Sequence, residues 1–148
     1  MPIRNQRRPL PKDVPMQNIK DHFDRNDRFA RHCGIELLEI DQGRARARMR
    51  IADLHMNGAN TVHGGAIFTL ADFAFAAASN SHGDLAMGIT ASTSFVKAAT
   101  AGTLFAAAEE VSLNRKLATY LVRVTDQDDQ LIALFQGTAY RKSIPLTG

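Results

Sequence analysis

Apolar residues run almost unbroken from Ala66 to Ser79, where Thr69, Asp72 and Ser79 are the only polar positions. A run of that length with no period of two predicts a helix buried on most of its faces. A polar, glycine-rich loop over residues 53–64 feeds it, and His82-Gly83-Asp84 is its exit, so the predicted helix spans Gly65 to about His82. Upstream, Ile19, Phe23, Ala30 and Cys33 sit near helical spacing and predict an amphipathic helix over Met16–His32, ended by Gly34. Ile35 to Asp41 reads as a strand.

From Gly43 to Ala52, Arg44, Arg46, Arg48 and Arg50 alternate with Ala45, Ala47, Met49 and Ile51. Period two gives one apolar and one cationic face. A half-exposed antiparallel strand accounts for this fully; a phosphate-binding stripe is the alternative. Beyond the buried helix come strand-like segments at Ala86–Ala98, Thr103–Leu113, Leu117–Gln127 and Gln130–Lys142. Residues 99–102 and 114–116 read as hairpin turns, so successive strands are expected to pair antiparallel. Gly102 and Gly137 are expected to permit bends or bulges. The order predicts an α+β fold: a curved antiparallel sheet wrapped around one long central helix, with an N-terminal helix beside it.

A chain of 148 residues suits one domain, here 16–148. Residues 1–15 hold four of the five prolines and read as a disordered or extended arm. The single cysteine, Cys33, excludes an internal disulfide and reads as a core residue. No apolar run reaches the roughly 20 residues of a membrane span, and the N-terminus lacks a secretory apolar core, so the expected location is cytoplasmic. The net charge of +3 is small, and the early basic residues are interleaved with Asp13, Asp21, Asp24 and Asp27. With no nucleic-acid motif visible, neither nucleic acid nor membrane is expected as a partner.

Asp72 is the one carboxylate on the predicted helix, and aspartate is rarely buried unless paired or used. Gly64-Gly65 at the helix start leaves backbone N–H groups for something negative. An oxyanion site and a lone acid on one helix suggest an enzyme. Gly65 and Asp72 lie about 10.5 Å apart along a helix axis, too far for one carbonyl to touch both. A two-fold dimer with antiparallel central helices would bring Gly65 of one subunit to Asp72 of the other. His55 and His63 flank a loop containing Asn57 but lack the partners zinc needs, so no metal is expected. Plainer roles stay open: an Asp72–arginine pair, His63 as a helix cap, Asn57 as a turn former, and Phe68, Phe73 and Phe75 as core.

The set Asn57, His63, Gly64, Gly65 and Asp72, within this architecture, resembles the hot-dog-fold thioesterases, and most of all the PaaI-like branch of phenylacetate-degradation acyl-CoA thioesterases. The resemblance covers about residues 20–142. Ser94-Phe95-Val96-Lys97 is similar to the family's strand ending in Phe-x-Arg/Lys-Pro, with Ala98 in place of the proline. The resemblance implies that Asp72 is the catalytic carboxylate and that the Gly65 N–H polarises the thioester carbonyl. Asn57 and His63 would orient the thioester or the loop, and Thr90 would hold the attacking water. Gly64, Phe68 and Phe95 would border the substrate, and Lys97, Arg115 and Lys116 would offer a basic rim to the phosphates of coenzyme A, unless they are solvated turn residues.

Hydrolysis passes through an oxyanion, which a preorganised N–H stabilises. A carboxylate can then act as general base on water or attack directly to form a mixed anhydride. By the resemblance the substrate is an aryl- or arylacetyl-CoA, no cofactor is needed because coenzyme A belongs to the substrate, and the assembly is a homodimer with shared sites, paired into a homotetramer. Two other readings use the same fold. An acyl-thioester hydratase or dehydratase would want a helix-borne histidine where Asp72 stands. A non-catalytic acyl-CoA-binding regulator could dispense with the acid altogether.

Overall fold

A computed structural model describes residues 14–146, so most of the arm expected at 1–15 lies outside the described residues. Helices α1 (Met16–Asn26) and α2 (Arg28–His32) lead into strands β1 (Ile35–Asp41) and β2 (Arg44–Arg50). A 3-10 turn, Asp53–His55, interrupts the loop before the central helix α3 (Gly64–Ser79). Four strands follow: β3 (Asp84–Phe95), β4 (Thr103–Leu113), β5 (Leu117–Thr125) and β6 (Leu131–Pro145). All six form one antiparallel sheet in the order β1-β2-β4-β5-β6-β3.

The expected N-terminal helix is two helices. Asp27 makes the break: its ψ of 85° leaves the helical region, and its carboxylate accepts the Ala30 N–H at 3.0 Å, capping α2. Aspartate favours this local bond over continuing a helix. Gly34, at φ +74°, then turns the chain into β1.

Residues 99–102 are a crossover, not a hairpin turn, which corrects the expectation that β3 and β4 pair. β3 bonds β6 at the far edge, and β4 bonds β2. β2 and β4 match because both turn alanine towards α3, with Ala45 opposite Ala108 and Ala47 opposite Ala106. The crossover is pinned at both ends: the Val62 N–H reaches the Ala99 carbonyl and the Ile51 N–H that of Gly102, each at 2.8 Å. The turn at 114–116 is a hairpin, as expected. No bulge falls at Gly137; its lack of a side chain instead admits the Phe75 ring.

Small residues let the sheet curl closely around α3. Leu70, Ala71, Ala74, Ala77 and Ala78 of the helix have no exposed surface, and they meet equally buried Ala47, Met49, Leu104, Ala106, Val122 and Phe135. Close packing of this kind makes the core sensitive to single methylene changes. The arginines of β2 face outwards, and three of them find carboxylates on neighbouring strands: Arg44–Glu109 at 3.1 Å, Arg46–Glu39 at 3.7 Å and Arg48–Glu36 at 2.8 Å. Exposed pairs contribute little stability, but their presence favours the plain strand over a phosphate stripe.

β3 is an edge strand of unusual character. From Met87 to Phe95 every residue but Thr93 is exposed, on both faces of the strand, and Met87, Ile89 and Phe95 are each more than half exposed. An open apolar edge is a ready template for pairing with another chain.

Candidate active site

α3 is not buried all round. Gly65, Phe68 and Asp72 are exposed, while Ile67, Leu70, Ala71, Phe73, Ala74 and Phe75 are buried. The exposed three fall on one line along the helix. The lone acid therefore stands on an open strip of the chain, which corrects its expected burial. Among the described residues no basic side chain forms an ion pair with it. Protein packed around the carboxyl, and secondarily the charge of Asp27, hold Asp72 above the ordinary carboxylate range even though solvent reaches the residue.

His63 is the N-cap of α3. Its Nδ1 accepts the Gly65 N–H at 2.8 Å, and its carbonyl accepts from Ala66 and Ile67. The capping role left open by the sequence is thus present, and it occupies the N–H that was assigned to the thioester carbonyl. A methyl group on Gly65 would stand 2.9 Å from that Nδ1, so the cap needs glycine. A methyl group on Gly64 would stand 3.2 Å from the Phe95 ring, which places Phe95 against the helix start. Phe68 meets Phe135 edge-on, with ring centroids 5.5 Å apart.

Asn57 serves its own loop. Its Oδ1 accepts the N–H groups of Ala59 and Thr61, and its Nδ2 donates to the Thr61 hydroxyl. His55 is buried: Nδ1 accepts the Ala52 N–H at 2.9 Å and Nε2 lies 2.7 Å from the Cys33 carbonyl oxygen. It ties the loop before α3 to the end of α2, a role the sequence reading missed, because the sequence does not show which elements meet.

Thr90 is opposite Thr138, whose hydroxyl bonds Thr119 on the outer face of the sheet. Thr90 thus faces away from α3. Three residues on, Thr93 is opposite buried Phe135 and faces the helix, and its buried hydroxyl has no partner among the described residues. A bulge between Gly88 and Thr90 shifts the alternation by one position, which no sequence pattern announced. Lys97 lies just past β3, where its N–H bonds Ile132, at the same end of the sheet as the start of α3. Arg115 and Lys116 lie in the β4–β5 turn at the opposite end, where Leu117 and Met87 both neighbour Tyr140. One chain therefore does not gather the three cations.

A surface hollow of about 810 Å³ is lined by residues such as Arg48, Arg50, Met56 and Phe105 and includes no α3 residue. The helix strip, with its charge and free edge strand, is the better candidate for chemistry. No group of three or more histidine, cysteine or acidic side chains among the described residues has metal-binding geometry, and no helix there is long and apolar enough to cross a membrane.

Residues 59–133 match the thioesterase superfamily. An Archaeoglobus fulgidus protein, whose name assigns it provisionally as an esterase, is 45% identical over 88% of this chain and 85% of its own. The acyl-coenzyme A thioesterase PaaI of Escherichia coli is 34% identical over 83% of this chain and 89% of its own. The solved structure of the E. coli PaaI protein superposes with a TM-score of 0.83, at 31% identity, over 85% of this chain and 92% of that one. A Streptococcus mutans structure bound to acetyl CoA has a TM-score of 0.70, at 26% identity, over 73% of this chain and 88% of that one. With the α3 strip and the wrapped sheet, these likenesses make the chain a PaaI-like, hot-dog-fold hydrolase of the thioesterase superfamily.

Proposed function

We propose that this protein hydrolyses an aryl- or arylacetyl-CoA thioester to the free acid and coenzyme A, working in the cytoplasm as a two-fold homodimer with shared sites and assembling further as a dimer of dimers. The observation that carries the reading is Asp72 on the single open strip of α3, beside an edge strand exposed over most of Met87–Phe95. Pairing β3 antiparallel with its copy would cover Met87, Ile89 and Phe95 and set the two strips face to face. Asp72 would then approach the α3 start of the partner subunit. The antiparallel arrangement also brings the end of the sheet bearing Arg115 and Lys116 towards the end bearing the other subunit's Lys97, which supports a composite phosphate rim.

In this reading a thioester carbonyl lies at the start of α3, and Asp72 of the other subunit activates water or attacks the carbonyl carbon. For Gly65 to donate to the oxyanion, the His63 imidazole must rotate off its N–H, giving up a hydrogen bond of about 0.5–1.5 kcal/mol. An oxyanion is the stronger acceptor and offsets that loss. The inward hydroxyl of Thr93, which has no partner of its own, is better oriented than Thr90 to hold the water. Phe68 and Phe95 offer apolar surface for an aryl group.

The test is thiol release from a panel of phenylacetyl-, hydroxybenzoyl-, short-chain and long-chain CoA, with Asp72→Asn alongside. Turnover of an aryl thioester that falls at least about a hundredfold in the variant is expected. A folded, oligomeric protein that binds the panel without hydrolysing it would favour the regulatory reading instead.

A further inference from the structure

The start of α3 is held by residues 52–63, and that stretch is tied to the rest of the chain at few points. Its turn closes on itself: the Asn57 N–H bonds the Thr61 carbonyl at 2.8 Å, and Met56 bridges Val62. Among the described residues, two hydrogen bonds tie it to elements other than α3. The Val62 N–H reaches the Ala99 carbonyl at 2.8 Å, and the His55 Nε2 lies 2.7 Å from the Cys33 carbonyl oxygen.

His55 is 3% exposed, and both of its ring nitrogens are engaged. The Ala52 N–H, 2.9 Å away, can only donate, so Nδ1 accepts. A carbonyl can only accept, so Nε2 carries the hydrogen given to Cys33. The ring is therefore the neutral Nε2–H tautomer. The residue it grips is itself anchored. Cys33 caps α2, and its own N–H bonds the Phe29 carbonyl at 3.0 Å. The Arg31 guanidinium ties α2 to the Asp24 and Arg25 carbonyls of α1, each at 2.8 Å. Phe23 of α1 meets Phe73 of α3 edge-on, with ring centroids 5.9 Å apart. From the same residue, the His55 carbonyl accepts the His63 N–H at 2.7 Å. His63 is the N-cap of α3, and its Nδ1 holds the Gly65 N–H. One residue thus joins the anchored helices to the point where α3 begins.

We propose that His55 is a positioning residue: its imidazole, bridging Cys33 and Ala52, fixes the backbone of His63 and so the place and direction of the N–H groups at the start of α3. This rests on the reading that a thioester carbonyl is polarised there. In that reaction the His63 ring leaves the Gly65 N–H, and the bond to the His55 carbonyl keeps the His63 backbone in place while the side chain turns. A displacement of about 1 Å caused by a change remote from the chemistry can lower a rate on the order of a hundredfold. His55, buried, acts through His63 and not on the substrate.

Glutamine and asparagine divide the two bonds of the imidazole between them. A glutamine amide extends to the position of Nε2 and can donate to Cys33, whereas an asparagine carbonyl matches Nδ1 and can accept only from Ala52. The full-length variants are assayed on the aryl-CoA that wild type turns over, well below each Tm. His55→Ala is expected to lower kcat about tenfold to a hundredfold, with KM within about threefold of wild type. His55→Gln is expected to recover most of that loss and His55→Asn little of it. A tie that serves stability alone would lower Tm and leave kcat unchanged, and that result overturns the proposal, as does asparagine restoring kcat as fully as glutamine. Amide hydrogen exchange gives a readout independent of turnover: the His63 N–H is protected in wild type and in His55→Gln, and loses protection in His55→Ala. If no thioester is hydrolysed, the thioesterase reading falls, and exchange at His63 still decides: equal protection in a folded His55→Ala overturns the tie. If the variants do not fold, imidazole nitrogen NMR on wild type decides, with a bare Nδ1 beside a protonated Nε2 expected and a hydrogen on Nδ1 overturning the proposal.

Discussion

Gly65 and Asp72 stand on the same open strip of α3, two helical turns apart and facing away from the sheet that wraps the rest of the helix. A rise of 1.5 Å per residue separates them by about 10.5 Å along the axis. A single carbonyl cannot be polarised at one and attacked from the other. The two-fold pairing proposed above makes a mixed-dimer experiment decisive. A methyl group on Gly65 keeps the substrate carbonyl from closing on the backbone N–H at the α3 start, and Asp72→Asn removes the acid, so each homodimer should be weakly active. Co-refolded together, half of the dimers are mixed, and each of those holds one intact site. Recovery to about a quarter of wild-type turnover is expected. Activity that stays at the level of the two parents would mean that each site is built within one chain.

The sequence made the strip's residues visible but not their surroundings. The apolar run of α3, the alternation of β2 and the glycine at Gly34 each follow from local physics and appear in the structure, although α3 ends at Ser79, short of the expected His82. The crossover at 99–102 was invisible, because four residues with a glycine suit a hairpin as well as a link pinned to distant carbonyls. The break at Asp27 looked like one more polar position in a helix, since its capping bond depends on backbone geometry. Thr90 faces outwards because a bulge beside Gly88 shifts the period by one. What an alternating pattern cannot carry is a single inserted residue, and that residue decides which hydroxyl faces the helix.

Asp72 should cost the folded protein stability at neutral pH. Surrounding protein, and then Asp27, hold its carboxyl above the ordinary value of 3.8. The folded state therefore keeps a proton that the unfolded chain releases, and stability falls as pH rises from 3.8 through the folded value. Asp72→Asn has no charge to lose. Its Tm is expected to exceed wild type at about pH 7 and to match it at about pH 3, where both forms are neutral. Thermal melts at the two pH values check this, and a variant that is less stable at neutral pH would show that Asp72 is favourably paired in the assembly.

His63→Ala separates the cap from the chemistry. The side chain holds one of the first N–H groups of α3, and losing such a cap costs roughly 0.5–2 kcal/mol. A Tm lower by a few degrees is expected. The Gly65 N–H is left available to substrate, so kcat/KM should fall less than about tenfold, against at least about a hundredfold for Asp72→Asn. A loss in His63→Ala as deep as that in Asp72→Asn, in a folded protein, would assign the imidazole a direct part in the reaction.

Gly137 tests how tightly the sheet is drawn around α3. It lies on β6 opposite Tyr120, and a methyl group there would meet the Phe135 ring at 2.9 Å and the Phe75 ring at 3.0 Å. Phe75 and Phe135 are 2% and 0% exposed, so neither ring can swing into solvent to make room. Gly137→Ala is expected to lose about 1–3 kcal/mol through overpacking. Gly64→Ala is the control, because its methyl group would meet the Phe95 ring at 3.2 Å, and that ring, 56% exposed, can turn away. Its cost in stability should stay within about 0.5 kcal/mol. Shortening the obstacle with Phe75→Leu in the Gly137→Ala background should return part of the loss, a coupling of at least about 0.5 kcal/mol in a double-mutant cycle. Denaturant titrations of the four proteins measure it. Additive effects would mean that the glycine serves the strand's own backbone rather than the Phe75 ring.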